Sequence, residues 1–245
     1  MGANASTAVP VYVSGQVLDA ARLNLTNAGI PVFADSTARD AAFGGTGEKT
    51  LAEGQFCFLE DSNSTLFYDG AAWQSVGTTP GLVCVKAETA FSAVTEVTAD
   101  NVFTSAYTNY RIIVRYQTST TNDLLMKFRA SAVDTSTNYN WQRLIADNTT
   151  ISGIRSASQT SATVGSDTIG AFFSMSTIEL SGVQLAEPTI FQSFNSRTAA
   201  AYTTPYLFQY FGNQSASTAF DGVKLLCSTG TITGSYTIYG YAKTV

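Results

Sequence analysis

Over residues 230–245 apolar and polar side chains take turns along the chain. Ile232, Tyr236, Ile238 and the gap at Gly240 fall on one face of an extended backbone. Thr233, Ser235, Thr237, Tyr239 and Tyr241 fall on the other, because strand side chains alternate with period two. A terminal strand stays ordered only when paired, so the pattern predicts a place for it inside a sheet or at a protected edge. The same alternation recurs upstream. In 110–116, Ile112 and Val114 face one way and Arg111, Ile113 and Arg115 the other. Leu124, Met126 and Phe128 alternate with Lys127 and Arg129, and Trp141, Arg143 and Ile145 with Gln142 and Leu144. Further strands are expected over 169–175, 177–180, 189–194, 206–211 and 223–227, with Phe91, Val94 and Val97 leading in. Roughly nine or ten strands, spaced about 8 to 12 residues apart with no helical stretch between them, predict an all-β fold. The domain at 88–245 is expected to be an antiparallel, jelly-roll-like β-sandwich, since nothing supplies the crossover helix of a parallel sheet.

The pattern changes toward the N-terminus. Residues 1–34 run through small residues and VPVYV, then show Val17, Leu18, Ala21 and Leu25 at helical spacing, closed by Asn27, Gly29 and Pro31. The expectation is an anchoring segment with one short helix, which must lean on its own chain or a neighbouring subunit because helices under about 12–15 residues are marginal alone. Residues 35–87 read as a connector. Asp35, Ser36 or Thr37 caps a helical turn over 38–43, and Gly44 with Gly45 stops it. Strands are expected over 55–59, 66–68 and 73–76, with Asp69-Gly70 as a type I′ hairpin turn. A meander this small has too little core to be stable alone, which suits a connector or docking piece.

Composition narrows the function. The chain has 245 residues and 44% apolar residues, but only 13% charged ones against an average of about 25%. A weakly charged chain rich in Thr, Tyr and Phe suits pleated sheet. Its net charge is −5 without any Lys/Arg run, so neither nucleic acid nor an anionic membrane surface is an expected partner. No apolar run approaches the roughly 20 residues that span a bilayer. The N-terminus lacks the basic start and apolar stretch of a secretion signal, so synthesis in a cytoplasm is expected.

Histidine is absent, which removes Ser-His-Asp and Cys-His catalytic units and His-ligated metals. No cofactor is expected. Cys57, Cys84 and Cys227 are far apart and flanked by apolar residues, so they read as buried free thiols. GGTGEKT at 44–50 is close to a phosphate-binding loop, but Glu48 stands where Gly must precede Lys, and a structural turn is expected.

The densest aromatic cluster is Tyr202, Tyr206, Phe208, Tyr210 and Phe211. Alternation places Tyr206, Phe208 and Tyr210 on one face and Leu207, Gln209 and Phe211 on the other, so one set belongs to a core or a subunit interface; such rings also stack on sugars. Asp123, Asp134, Asp147, Asp167 and Asp221 stand beside turn residues, where Asp supports the backbone. No DxDxDG calcium frame occurs. Arg111, Arg115, Lys127 and Arg129 are expected on a solvated sheet face.

Two stretches also carry a resemblance. VPVYVSGQVLDAARLNLTNAG, followed by PVFADSTARDAAFGGTGEKTLAEGQFCFLEDSNSTLFYDGAAWQSV, resembles the attachment region of tailed-bacteriophage virion proteins. NYRIIVRY, LLMKFRAS, NYNWQRL, STIELSG, AEPTIFQS, FDGVKLL and GTITGSYTIYGYAKTV resemble, in that order, the β-sandwich that closes phage tail-fibre and related appendage proteins. The resemblance implies a virion structural protein, commonly a homotrimer, whose N-terminal part docks to other virion proteins while the sandwich is displayed outward; the scattered acids beside turns make the expected protein non-enzymatic, a short tail fibre or appendage that contacts the host surface. Val11, Tyr12, Val13, Val17, Leu18 and Leu25 are then docking candidates. Tyr202, Tyr206, Phe208, Tyr210, Tyr239 and Tyr241 are candidates for surface or subunit contact, with a host-surface glycan as a further partner. The alternative is a capsid decoration or head-fibre protein that reinforces the shell. A polysaccharide hydrolase would instead need two carboxyl groups about 5–10 Å apart in a groove.

Overall fold

The computed structural model describes residues 29–44, 49–77, 81–167, 172–199 and 204–243, together with Ser14, Gly15 and Val17. The chain divides into two compact units between Thr78 and Thr79. The connector expected to run to residue 87 therefore loses its last residues to the sandwich, because the strand β5 (Leu82–Val94) belongs to the second unit's sheet.

The first unit holds a four-stranded sheet in the order β1 (Val32–Phe33), β2 (Phe56–Leu59), β3 (Ser64–Tyr68) and β4 (Trp73–Ser75). One short helix, α1 (Ser36–Asp40), precedes β2. Asp35 is its cap: Oδ1 accepts the Ala38 N–H at 2.8 Å, satisfying one of the donors a helix start leaves free. The core is small, comprising Phe33, Ala42, Cys57 and Leu59 with Phe43 and Trp73 against them. The hairpin at Asp69-Gly70 differs from the type I′ expectation. Tyr68 pairs with Trp73, so residues 69–72 form the loop, and Gly70 alone has positive φ. The Asp69 carboxylate builds the turn instead, accepting the N–H groups of Ala71 (2.9 Å) and Ala72 (2.7 Å). The anchoring helix expected around Leu18, Ala21 and Leu25, and residues 45–48 of the Gly-rich loop, lie outside the described residues.

The second unit is a sandwich. It contains β5, β6 (Glu96–Ala99), β7 (Asn109–Thr118), β8 (Asn122–Ala130), β9 (Val133–Asp134), β10 (Tyr139–Asp147) and β11 (Thr150–Gln159). Then follow β12 (Ala162–Asp167), β13 (Ser174–Ser181), β14 (Thr189–Ala199), β15 (Thr204–Gln214), β16 (Gly222–Cys227) and β17 (Ile232–Tyr241). The large sheet runs β11-β10-β15-β14-β13-β7-β17-β5 and the small one β12-β8-β16-β6, with β9 paired to β8. Without β9–β11 and β14–β15, eight strands remain, ordered β5-β17-β7-β13 in one sheet and β6-β16-β8-β12 in the other. That is the two-sheet arrangement of a jelly roll. The hairpins β10–β11 and β14–β15 add to the β13 edge and widen the large sheet from four strands to eight.

The terminal strand β17 lies between β7 and β5. Ile232, Tyr236, Ile238 and Gly240 face inward, as the alternation requires. Gly240 has no Cβ because the Tyr107 ring occupies that space. Between the sheets pack Tyr110, Ile112, Val114 and Tyr116 of β7 against Leu124, Met126 and Phe128 of β8 and Val223 and Leu225 of β16. Each such burial contributes about 1.5–3 kcal/mol. Tyr110 keeps its hydroxyl satisfied in this core, accepting the Thr104 N–H at 2.7 Å and donating to the Thr104 carbonyl at 2.8 Å.

Two expectations need correction. Arg111 and Arg115 lie on the large sheet, but Lys127 and Arg129 belong to the small one. Arg129 is not a solvated side chain: it is 8% exposed and paired with Asp100 and Asp134. The cysteines are all free, and Cys57 and Cys227 are buried, but Cys84 is exposed.

Candidate functional site

The widened sheet creates a broad outer face, away from the core, and its register defines what that face presents. Residues directly opposite in a ladder share a face. Arg111, Glu179, Gln192, Phe211, Gln142 and Arg155 stand opposite one another in succession from β7 to β11. The next row toward one sheet end holds Asn109, Ser181, Ile190, Asn213 and Asn140. These two rows line a groove of about 910 Å³, with Tyr241 of β17 at one end and Arg155 of β11 toward the other.

The groove is built on strands, so its side chains are held by the ladder. Among the described residues its one carboxylate, Glu179, is fully engaged. Arg111 contacts Oε1 through Nε at 2.6 Å and Nη2 at 2.5 Å, and the Tyr241 hydroxyl donates to Oε2 at 2.9 Å. The hydrogen bond to Glu179 raises the Arg111 pKa above its ordinary value. Burial, then the hydrogen bond to Glu179, raises that of the Tyr241 hydroxyl. At the sheet end the Asn140 amide donates to Asn213 Oδ1 at 3.0 Å and accepts the Ser158 N–H at 3.0 Å. Gln142, Gln192 and Arg155 face solvent, and no hydrogen bond or ion pair among the described residues uses their side chains. Phe211 and Ile190 are 45% and 61% exposed.

Over the next two rows along the same face the character changes. Met175, Phe194, Leu207, Leu144 and Ile151 are diagonal neighbours across β13, β14, β15, β10 and β11. All five are exposed, forming an apolar zigzag beside the polar groove.

The aromatic candidates separate by face. Phe208 and Tyr210 are buried on the inner face of β15, and burial raises the Tyr210 pKa. Tyr206 joins them there, half-buried, with the Arg197 guanidinium 4.7 Å from its ring and 4.8 Å from that of Phe208. All three belong to the inner wall, and Tyr206 and Phe208 line a hollow of about 370 Å³ with Arg143, Arg197 and Ser166. Tyr239 stands on the outer face opposite Arg111, and Tyr241 lines the groove. Tyr202 and the docking candidates Val11, Tyr12, Val13, Leu18 and Leu25 lie outside the described residues; Val17 is exposed. Sequence reasoning missed Glu179, Gln192, Gln142 and Arg155. Their only sequence signal is that each is a polar residue on the outward phase of its strand, and this becomes a site only once the ladder order is known.

The acids elsewhere hold the fold. Asp167, 2% exposed, accepts the Thr118 N–H at 2.7 Å and the hydroxyls of Thr118 (3.0 Å) and Ser174 (2.7 Å). Asp221 accepts the Ser131 N–H at 2.9 Å. Among the described residues no cluster of three or more His, Cys, Asp or Glu could hold a metal ion. None of their helices is long and apolar enough to cross a membrane.

The second unit is thus a jelly roll with a strand-built groove on its widened sheet. No protein-family model, curated protein or solved structure matches the chain.

Proposed function

We propose that this chain is a non-enzymatic structural protein of a tailed-bacteriophage virion: a trimeric short tail fibre or appendage, docked by its N-terminal region, that offers its jelly roll to the host surface. The observation that carries the reading is the outer face of the large sheet, where a groove floored by rigid strands presents amides, rings and one uncommitted cation to solvent. Strands suit binding because the ladder fixes the backbone from which these side chains project, leaving only the side chains of Gln142, Gln192 and Arg155 for a ligand to order. Glycoside hydrolysis uses two carboxyl groups, whereas among the described residues the groove has Glu179 alone, tied to Arg111 and Tyr241; this favours attachment over cleavage.

Self-association is supported by the apolar zigzag beside the groove, since neighbouring exposed apolar side chains mark interaction surfaces. Three copies would multiply weak contacts, and linkage of sites raises avidity by about 10²- to 10⁴-fold. The protein would be made in the host cytoplasm and carried on the particle. The test uses particles that contain the chain. Purified protein in excess should block their adsorption to host cells, light scattering should give a trimer mass, and antibody should label the tail in electron micrographs. Label on the capsid shell with no block of adsorption would instead favour the capsid-decoration or head-fibre reading. Absence of the protein from particles would defeat both.

A further inference from the structure

We infer that the outer-face groove is a binding site for an acidic oligosaccharide, a sugar chain bearing carboxylates, with Arg155 as the carboxylate-reading residue and Phe211 as the platform for a ring. The inference deepens the attachment reading above and rests on it for biological context, but not for the chemistry. Sugar hydroxyls both donate and accept hydrogen bonds, and of the uncharged side chains the carboxamides do both with fixed planar geometry. Gln142 and Gln192 flank Phe211 on either side in the same row, and both amides are uncommitted. A sugar ring has an apolar C–H face that packs on an aromatic ring. Phe211, nearly half exposed between two free amides, supplies that pairing of ring and hydrogen-bonding groups.

Charge decides between neutral and acidic chains. The charged side chains lining the groove are Arg111, Glu179 and Arg155. Arg111 and Glu179 neutralise each other at 2.5 Å, leaving Arg155 as an unpaired cation in a chain of net charge −5. A guanidinium takes a carboxylate through two parallel hydrogen bonds, which gives both strength and orientation. The groove crosses β7 to β11 in ladder order, five spacings of about 4.8 Å, so it is long enough for several sugar units instead of one. Arg111 and Glu179 serve as positioning residues: their pair, capped by the Tyr241 hydroxyl, fixes one end wall.

The test measures retention of the purified full chain on alginate oligomers, sialylated oligosaccharides and neutral glucan oligomers of matched length, by calorimetry and on an array. Wild type should prefer the acidic probes at least tenfold, with the preference falling as salt rises. Arg155→Gln should erase the preference while leaving the weaker neutral binding, and Phe211→Ala should weaken binding to both kinds at least tenfold. Val133→Thr, exposed on the small sheet away from the groove, should change neither, and all three variants should unfold in a transition as sharp as that of wild type. Equal binding of acidic and neutral chains, or acidic binding untouched by Arg155→Gln and Phe211→Ala, would overturn the assignment; so would groove-dependent capture of an extended peptide library with no sugar bound. Adhesion of wild type to host cells that survives both groove substitutions would defeat this site while leaving the attachment reading intact. Groove-dependent sugar binding by a chain that labels no particle would do the reverse.

Discussion

At the scale of single residues, burial sets the reactivity of groups that look alike in the sequence. Cys57 and Cys84 both sit between apolar neighbours, but Cys57 faces the small core and Cys84 faces solvent. Burial pushes the Cys57 thiol up to about 11, against a partial lowering by Arg39. Since the thiolate is the reactive species, a thiol-specific reagent at pH 8 should modify one cysteine per native chain, and Cys84→Ser should abolish that fast phase. Two fast-reacting thiols in the native Cys84→Ser variant would count against the structure. Asp134 shows the opposite case, a carboxylate held charged. Burial acts to raise its pKa, but the hydrogen bond and charge of Lys224, with Arg129 and Lys127, outweigh it and hold the group below its ordinary 3.8. A depressed folded-state pKa gives stability that is complete above the unfolded value and is lost as pH falls through the folded one. Asp134→Asn should therefore cost about 2 kcal/mol at pH 7, less than for a fully buried pair because Asp100 and Glu96 still hold Arg129 and Lys224. The gap between variant and wild type should close below about pH 4, which chemical denaturation across pH 3 to 7 would reveal.

At the scale of elements, the turns and strands show where sequence pattern reaches its limit. Asp69-Gly70 looks like a type I′ turn and is not one, because the Asp69 carboxylate gathers two backbone N–H groups and lengthens the loop. Ser131-Ala132 has neither Asn nor Gly, yet both residues have positive φ, 50° and 63°, between the paired Ala130 and Val133. Such a two-residue loop with positive φ at both positions is the turn that matches strand twist. An L-residue with a side chain in that region costs about 1 kcal/mol. Ala132→Gly should then raise stability by about 0.5–1 kcal/mol, the gain being reduced by the extra freedom of glycine in the unfolded chain, and thermal unfolding would show a rise of roughly 2 °C. A lowered midpoint would contradict the backbone described for this hairpin. The strands tell a similar story. Those with one buried and one solvated face, β7, β8 and β17, are legible from alternation alone. β11 and β12 are not among the expected strands, for opposite reasons. β11 is an edge strand exposed on nearly every residue, so burial imposes no period on it. β12 is buried throughout but built of Ala, Thr, Val, Gly, Ser and Asp. Its polar groups are satisfied across the sandwich by Asn195, Thr118 and Ser174, and its Gly165 leaves room for the Tyr116 hydroxyl. The groove was hidden for another reason: its residues come from seven strands whose order in the sheet is not their order in the chain.

At the scale of the whole molecule, the two units should differ sharply in stability. Among the described residues of the first unit, the buried apolar cluster is Phe33, Ala42, Cys57 and Leu59, only three of them larger than alanine. The second unit closes a continuous core over two sheets, with β17 locked between β5 and β7. Calorimetry of the full chain should therefore show two transitions, the lower belonging to residues 1–78 and the upper to 79–245. A chain starting at residue 79 should keep the upper transition within about 2 °C, because among the described residues no strand of that sheet system lies before Leu82. If the N-terminal region is shared between copies, as the proposed trimer requires, the lower transition should climb with protein concentration, since association stabilises whichever state it binds. The upper one should climb too if the exposed apolar zigzag of the sandwich also meets its copies. A single transition that disappears when residues 1–78 are removed would show that the sandwich depends on the first unit, against the two separate cores. A lower transition indifferent to concentration would leave the N-terminal region folding within one chain and remove the physical ground for a trimer held there.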